Sequence, residues 1–518
     1  MLALAFASFA PLPAWAASAT VTLSDPVPTL LDGPEVTSDV NRLATGARPV
    51  EGVAADGVSR IVIAVSATNA GQPFTFTIYN DQSAPSASTA ENGALAAAGS
   101  GQFDHNQLAT AAVTTAEGAM AFVIYRAPID FARPGGADDN KSERSVSIHW
   151  HSGTTGSGTI PITILRPPVV LVHGLWSDPS AWENFTPLIG DPRFALFRAD
   201  YGSLAVSVSS ATPTFSGMNT VSAHALGLAF NARYVAPQID SFVNSFKTGH
   251  NPANLSVAAV QADVVAHSMG GIVTRTMPIT VGFGSATTFG HGNIQKLITV
   301  DTPHLGSPLI GDFISDGNSN PNKCLRGLFG SKGMYALSSV ETPAGRKIDG
   351  AFGDMLGNGS GDDLSPALQA LLPSATKPSL QTPPLPTAFI GAVAGPTQLG
   401  GLDTCHATWK DNDRPPQCKI YAVIQIFCGS DPLVKNLTAA GWKNNVMMGP
   451  SDALVPLPSE YANHTQVISP LTAIHSKGLE LLGLKGPAVL ESTSGAAAKA
   501  ISLLNTWVAK SPTFTGLR

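Results

Sequence analysis

Charge is scarce in this sequence: Asp, Glu, Lys and Arg make up 13 % of its 518 residues, and the formal net charge is −6. A coiled coil or a charged disordered chain would carry far more, so both are excluded. No long run of Lys or Arg is available to engage a phosphate backbone, which removes nucleic acid from the expected partners. Long apolar runs are missing as well. No stretch of the ~20 residues that a bilayer requires is free of Gly, Pro or charge, so no transmembrane segment is expected. Cysteine is confined to Cys324, Cys405, Cys418 and Cys428. The chain has neither a Cys-x-x-Cys nor a His-x-x-x-His pair, which argues against a zinc site on Cys405, His406 and Cys418, and no metal or organic cofactor is expected. What is abundant is Gly, at 50 positions, and Pro, at 40, a composition suited to a loop-rich globular protein. The length implies two or three domains, one of them large enough for a deep core.

The first residues, MLALAFASFAPLPAWAASAT, form an apolar stretch ending in Ala14-Trp15-Ala16, a small-x-small pattern of the kind signal peptidase accepts. Residues 1–16 are therefore expected to direct export to a secreted, periplasmic or extracellular location, although no basic residue precedes the apolar run. Pro11 and Pro13 cut that run well short of a membrane span. In an exported chain the four cysteines could form up to two disulfides, with three possible pairings that the sequence leaves open.

From Ala17 to Leu165 apolar residues recur with period two, in Arg60 to Val65 (RIVIAV), Phe74 to Tyr79 (FTFTIY), Met120 to Tyr125 and Val146 to His151 (VSIHWH), separated by Gly, Asn, Asp and Pro. Such strands bury one face each and predict a two-layer all-β sandwich. Near Arg166-Pro167-Pro168 the pattern changes. Val169 to Val172 is an apolar strand without alternation, the mark of a strand covered on both faces. After it come a helical stretch containing Ile239, Phe242, Val243 and Phe246, then strands at Asp263 to Ala266, Leu297 to Val300 and Ala388 to Val393. This alternation predicts an α/β fold with a doubly wound, mostly parallel sheet over residues 166–518. Residues 305–386, rich in Gly, Asn, Ser and Pro, read as an insertion, either a lid or cap over a site or a structural excursion at the rim. An Ala-rich segment, Ala496 to Val508, reads as a closing helix.

The chemistry centres on VVAHSMGG, residues 264–271, where an apolar strand ends at Ser268 and a helical stretch begins. A nucleophilic Ser at a strand-turn-helix elbow needs small residues two positions away on each side, and Ala266 and Gly270 stand there. The usual pattern is Gly-x-Ser-x-Gly. With Ala in first place the segment resembles the elbow of Bacillus-type lipases in the α/β-hydrolase superfamily. RPPVVLVHGLW, residues 166–176, resembles the strand and His-Gly loop of the same lipases. That resemblance implies an oxyanion hole from the backbone N–H groups of Leu175 and Met269 and a structural role for His173. TVDTPHLGSP, residues 299–308, resembles their Thr-Pro-His-x-Gly-Ser pocket loop; His304 there follows Ser268 too soon to be the base. GPSDALVPLPS, residues 449–459, resembles the loop carrying the triad acid and nominates Asp452, with Asp431 and Asp301 as weaker alternatives. The base comes last, His475 ahead of a short amphipathic stretch, with His464 as its alternative. The order Ser268, Asp452, His475 is that of α/β-hydrolases. The N-terminal β-region lies outside this resemblance; Ala-Asp-Gly at 55–57 before a Val/Ile-rich strand resembles bacterial immunoglobulin-like domains.

The resemblance implies a secreted bacterial serine esterase, foremost a lipase cleaving acylglycerols or other lipid esters through an acyl-enzyme on Ser268 and able to contact a lipid–water interface. The alternatives are a short-chain esterase, a polyester depolymerase, an acyltransferase, or a non-catalytic binding module on a hydrolase scaffold. Oligomeric state is left open.

Overall fold

The computed structural model describes residues 19–517 except 154–155, 210–219, 281, 311–338, 362, 373–384, 401, 403–437, 465–467 and 509–512. The expected export segment, all four cysteines, Asp431 and parts of the expected insertion lie outside the described residues.

The N-terminal region builds two sheets of six strands, one of them completed by the later strand Val257–Ala258. In the strand Pro73–Tyr79 the side chains of Phe74, Phe76 and Ile78 are buried while those between them are at least partly open to solvent. Strand Glu143–Ser152 turns Val146, Ile148 and Trp150 inward in the same way. These residues meet Ile61, Ile63, Val65 and Val123 of the facing sheet in one apolar core, which makes the region an all-β sandwich. Each such side chain contributes roughly 1.5–3 kcal/mol on leaving water. Strand Arg60–Ser66 departs from one-sided burial, because its outward residues Val62 and Ala64 are covered by Leu30, Val36 and Leu43. Leu43 belongs to a short helix, Val40–Thr45, capped by the Asp39 carboxylate. A strand can thus look buried on both faces without lying in a parallel sheet.

The third six-stranded sheet runs in the order Leu196–Ala199, Val169–Val172, Ala262–His267, Ile294–Val300, Leu385–Ile390, Thr515–Leu517. Its first five strands are parallel and the last is antiparallel. Alternate residues of Val169–Val172 enter different cores: Val170 and Val172 pack with the helices Leu228–Lys247 and Met269–Thr276. Val169 and Leu171 pack instead with Trp182, Phe185 and helix Ala496–Leu504 on the other face. Both faces are covered, which is why these strands carry no polar alternation. Strand Leu196–Ala199, which no sequence signal announced, is an edge strand and only partly buried.

The sandwich meets this sheet at the end where the parallel strands begin. Strand Val257–Ala258, although it lies well beyond the change of pattern at Arg166, pairs in parallel with Gly52–Ala54 of the sandwich. The Asp56 carboxylate accepts hydrogen bonds from the Val260 and Gln261 amides at 2.9 and 3.1 Å. Lys296, fully buried, lies 3.1 Å from both carboxylate oxygens of Asp130 and 3.7 Å from Asp263. One ammonium faces two buried carboxyls, and the Asp263 carboxyl is pushed up to about 7 by burial, against the pull of Lys296 and with the Asp130 charge adding to the rise. Because the folded chain keeps this proton and the unfolded chain, near 3.9, does not, the folded state loses stability from Asp263 as pH rises from about 4 to about 7. Buried histidines held low, such as His304, act in the opposite sense below their ordinary value. The clean measurement is therefore a difference between two proteins. The stability of Asp263→Asn relative to the parent is expected to rise across that window by up to about 1.4 kcal/mol per pH unit. Urea unfolding of both proteins at several pH values checks this, and a difference that stays flat with pH would refute it.

Candidate active site

Strand Ala262–His267 delivers Ser268 at its C-terminal tip, and helix Met269–Thr276 starts immediately after. Ser268 adopts φ 55° and ψ −132°, a conformation rare for a residue with a side chain and costing about 1–3 kcal/mol. Its amide donates to Val300 O at 2.9 Å, which ties the turn to the neighbouring strand. A Cβ at Gly270 would stand 2.4 Å from His173 O and 2.5 Å from Val172 O, both backbone atoms that cannot yield. Ala266 is fully buried with its methyl in the apolar core, so a Cβ is accommodated on that side of the elbow. This difference explains how Ala can replace Gly before the serine but not after it. Across the cleft, a Cβ on Gly174 would come within 2.7 Å of Ser268 Cβ, so the His173-Gly174 loop can approach only as glycine.

The loop Gly449–Ser459 and the segment around His475 come together at Ser268. His475 Nε2 lies 2.8 Å from Ser268 Oγ, and His475 Nδ1 lies 2.5 Å from Asp452 Oδ2. The other Asp452 oxygen accepts the amides of Leu454 and Val455 at 2.8 and 2.7 Å, and the His475 amide donates to Asp452 O at 3.0 Å. Backbone donors thus fix the carboxylate, the carboxylate fixes the imidazole, and the imidazole reaches the hydroxyl. Asp452 and His475 are both buried, which strengthens each of these contacts.

The alternatives fall elsewhere. His464 stacks on Phe389, 5.8 Å between ring centres, and makes no contact with Ser268. His304 is fully buried, with Nδ1 2.7 Å from the Arg275 guanidinium and Nε2 3.1 Å from Thr299 Oγ1. His173 stacks on Tyr201 at 4.1 Å and bonds through Nδ1 to Gly174 O, shaping the loop. Asp301 sits at the end of strand Ile294–Val300, close behind Asp452 and without a bond to His475. The Leu175 and Met269 amides donate to no acceptor among the described residues. Met269 is also the first residue of its helix, where the dipole favours negative charge.

The sequence model of the alpha/beta hydrolase family matches residues 169–461, more than half of the chain. This chain belongs to the alpha/beta hydrolase family. Among solved structures, Staphylococcus hyicus lipase is similar at 12 % identity over 65 % of this chain and 93 % of that one, with a TM-score of 0.30. An extracellular alpha/beta-hydrolase from a Paenibacillus species is similar at 14 % identity over 34 % of this chain and 55 % of that one, with a TM-score of 0.18. No curated protein sequence matches the chain. The two structural likenesses are slight.

Ser268, His267 and His475 open into a cavity of about 500 Å³, within the range of small-molecule sites. Its walls include Trp176, Leu309, Ile310, Phe352, Met355 and Leu490, with the Trp176 and Phe352 rings edge to face at 5.5 Å. Phe352 and Met355 come from the region between residues 305 and 386. At the rim Lys477 and Glu491 form an ion pair of 2.5 Å. No described helix is long and apolar enough to cross a membrane.

Two residues of the site escaped the sequence analysis. His267 packs its ring 4.9 Å from that of His475, and burial followed by the His475 charge holds it well below the ordinary imidazole value, so it is neutral there. Glu460 is buried behind Asp301, and its Oε2 accepts the Ala392 amide at 2.8 Å. The residue before Ser268 and a Glu in a four-residue helix carry no signal of their own; only packing reveals them.

Proposed function

We propose that this hydrolase cleaves carboxylic esters through an acyl-enzyme on Ser268, with His475 as base, Asp452 as acid, and the Leu175 and Met269 amides as the oxyanion hole. The observation that carries this reading is the 2.8 Å contact of Ser268 Oγ with His475 Nε2 at the floor of an apolar cavity. His475 takes the hydroxyl proton as Oγ attacks the ester carbonyl carbon, and the two amides hold the oxyanion. The C–O bond of the ester breaks and the alcohol leaves with the proton from His475. Water, activated by the same imidazole, then releases the acid.

The apolar walls suit a hydrocarbon acyl group, which favours lipase-type substrates over short polar esters. In the same reading residues 166–518 form the catalytic domain, residues 17–165 a separate β-domain, and residues 305–386 a cap whose Phe352 and Met355 line the acyl site. Export through residues 1–16 belongs to the proposal as well, and N-terminal sequencing of the protein recovered outside the cell tests it.

Activity is tested by labelling with a fluorophosphonate probe and by hydrolysis of p-nitrophenyl and glyceride esters of increasing chain length. The expected outcome is covalent labelling, with kcat/KM rising at least tenfold from acetate to octanoate. Each buried CH₂ contributes about 0.8 kcal/mol, so a tenfold gain needs only about two well-packed methylenes. A steady decline with chain length would demote the lipase reading to a short-chain esterase. Absence of labelling would remove the serine mechanism.

A further inference from the structure

Behind Asp452 lies a second fully buried carboxyl, Asp301, and behind that a third, Glu460. One ligand atom each of Asp301, Asp452 and His475 lies within 4.8 Å of the others. The surroundings of the two aspartates differ sharply. Asp452 receives two backbone N–H groups and the His475 ring. Among the described residues neither Asp301 oxygen has a hydrogen-bond donor with good geometry, and both are sealed from solvent. The groups facing Asp301 among the described residues are Asp452, Glu460, His475, the ring of Tyr461, whose hydroxyl is committed to Ile468 O at 2.6 Å, and the Ala392 amide, whose 2.8 Å hydrogen bond goes to Glu460 Oε2 and which favours the Asp301 anion only weakly. No Lys or Arg among the described residues contributes to its electrostatics. An ionised Asp301 would therefore stand unpaired beside a second carboxylate in a dry interior, among the most costly arrangements a protein can hold. A proton removes that cost and turns an acceptor into a donor aimed at the nearest acceptor.

We propose that Asp301 is neutral in the folded protein and donates a hydrogen bond to the Asp452 carboxylate, making it a positioning residue for the Asp452–His475 pair. The inference rests on the reading of Ser268, His475 and Asp452 as a triad. Burial first, and then the Asp452 charge, raise the Asp301 carboxyl well above its ordinary value, in agreement with the geometry. Glu460 is raised too, by burial first and then by the negative charge that the Asp301–Asp452 pair carries, and as a neutral carboxyl it adds no charge beside that pair. Asp301 also explains why Asp452 is the carboxylate that engages His475. Of two adjacent carboxyls only one can be charged, and backbone donors select Asp452.

The test follows the titration of His475 by NMR on protein labelled at histidine, with the His475 signal identified by its loss in His475→Gln. If Asp301 is neutral, Asp301→Asn keeps both charge and donor, and the His475 midpoint stays within about 0.3 pH units of the parent. If Asp301 is ionised, removing a charge this close lowers the midpoint by at least about one unit, which overturns the proposal. A second arm uses ester hydrolysis. Asp301→Val, which cannot donate, is expected to lower kcat about tenfold with KM little changed, and Asp301→Asn to recover most of that loss. Parent-like kcat in Asp301→Val also overturns the proposal. A parent protein that hydrolyses no ester would defeat the function proposed above, while the NMR arm would still decide the state of Asp301.

Discussion

Ser268→Ala is expected to lower kcat/KM for esters by at least about 10⁴-fold and to abolish fluorophosphonate labelling, while leaving the urea midpoint unchanged or slightly raised. The loss is large because Ser268 Oγ is the atom that His475 Nε2 reaches, at 2.8 Å. In the proposed mechanism its loss leaves acyl transfer without a nucleophile, and only the proposed oxyanion donors and the cavity remain to assist water. Stability should hold because the hydroxyl makes no further hydrogen bond among the described residues, and the strained φ of 55° is imposed by the backbone and not by the side chain. Steady-state kinetics, probe labelling and urea unfolding on the same preparation check all three parts. Persistent labelling at the parent rate would mean that another residue is the nucleophile.

The second large effect is expected from Asp452→Asn, a fall in kcat of about 10³–10⁴-fold with the fold intact. The amide preserves shape, so the Leu454 and Val455 donors still find an oxygen. The amide NH₂ then faces His475 Nδ1, which must accept and carry its proton on Nε2 instead. In that tautomer the ring cannot take the Ser268 proton, and no carboxylate remains to stabilise the imidazolium. The same variant separates Asp452 from Asp301. If Asp301 were the working acid, Asp452→Asn would retain activity within about tenfold, and the large loss would fall on Asp301→Asn instead. Kinetics of the two Asn variants side by side decide between these outcomes.

The elements most legible in the sequence were those whose pattern answers to local rules. Phe74, Phe76 and Ile78 alternate because one face of their strand meets a facing sheet, and Val169 to Val172 do not alternate because helices cover both faces. Leu196–Ala199 was illegible, since a short edge strand half open to solvent has neither pattern. The pairing of Val257–Ala258 with Gly52–Ala54 was illegible for another reason: parallel pairing between segments two hundred positions apart leaves no mark on either. The elbow lay between these cases. Small residues around Ser268 could be read directly, but why Ala suffices at 266 and Gly is required at 270 depended on the carbonyls of Val172 and His173.

The sequence by itself determined the order of elements, the strand-turn-helix context of Ser268 and a short set of carboxylates and imidazoles that could serve it. These follow from periodicity, residue size and chain order, all of which act over a few neighbours. Only the tertiary structure decided which of them meet: His475 and Asp452 at Ser268, His464 against Phe389, and Asp301 behind Asp452 without a well-aligned donor among the described residues. Hydrogen bonds of under 3 Å between residues up to 207 positions apart are set by how the sheet and its loops pack. The burial that leaves Asp301 facing Asp452 is a property of that packing and of no single segment.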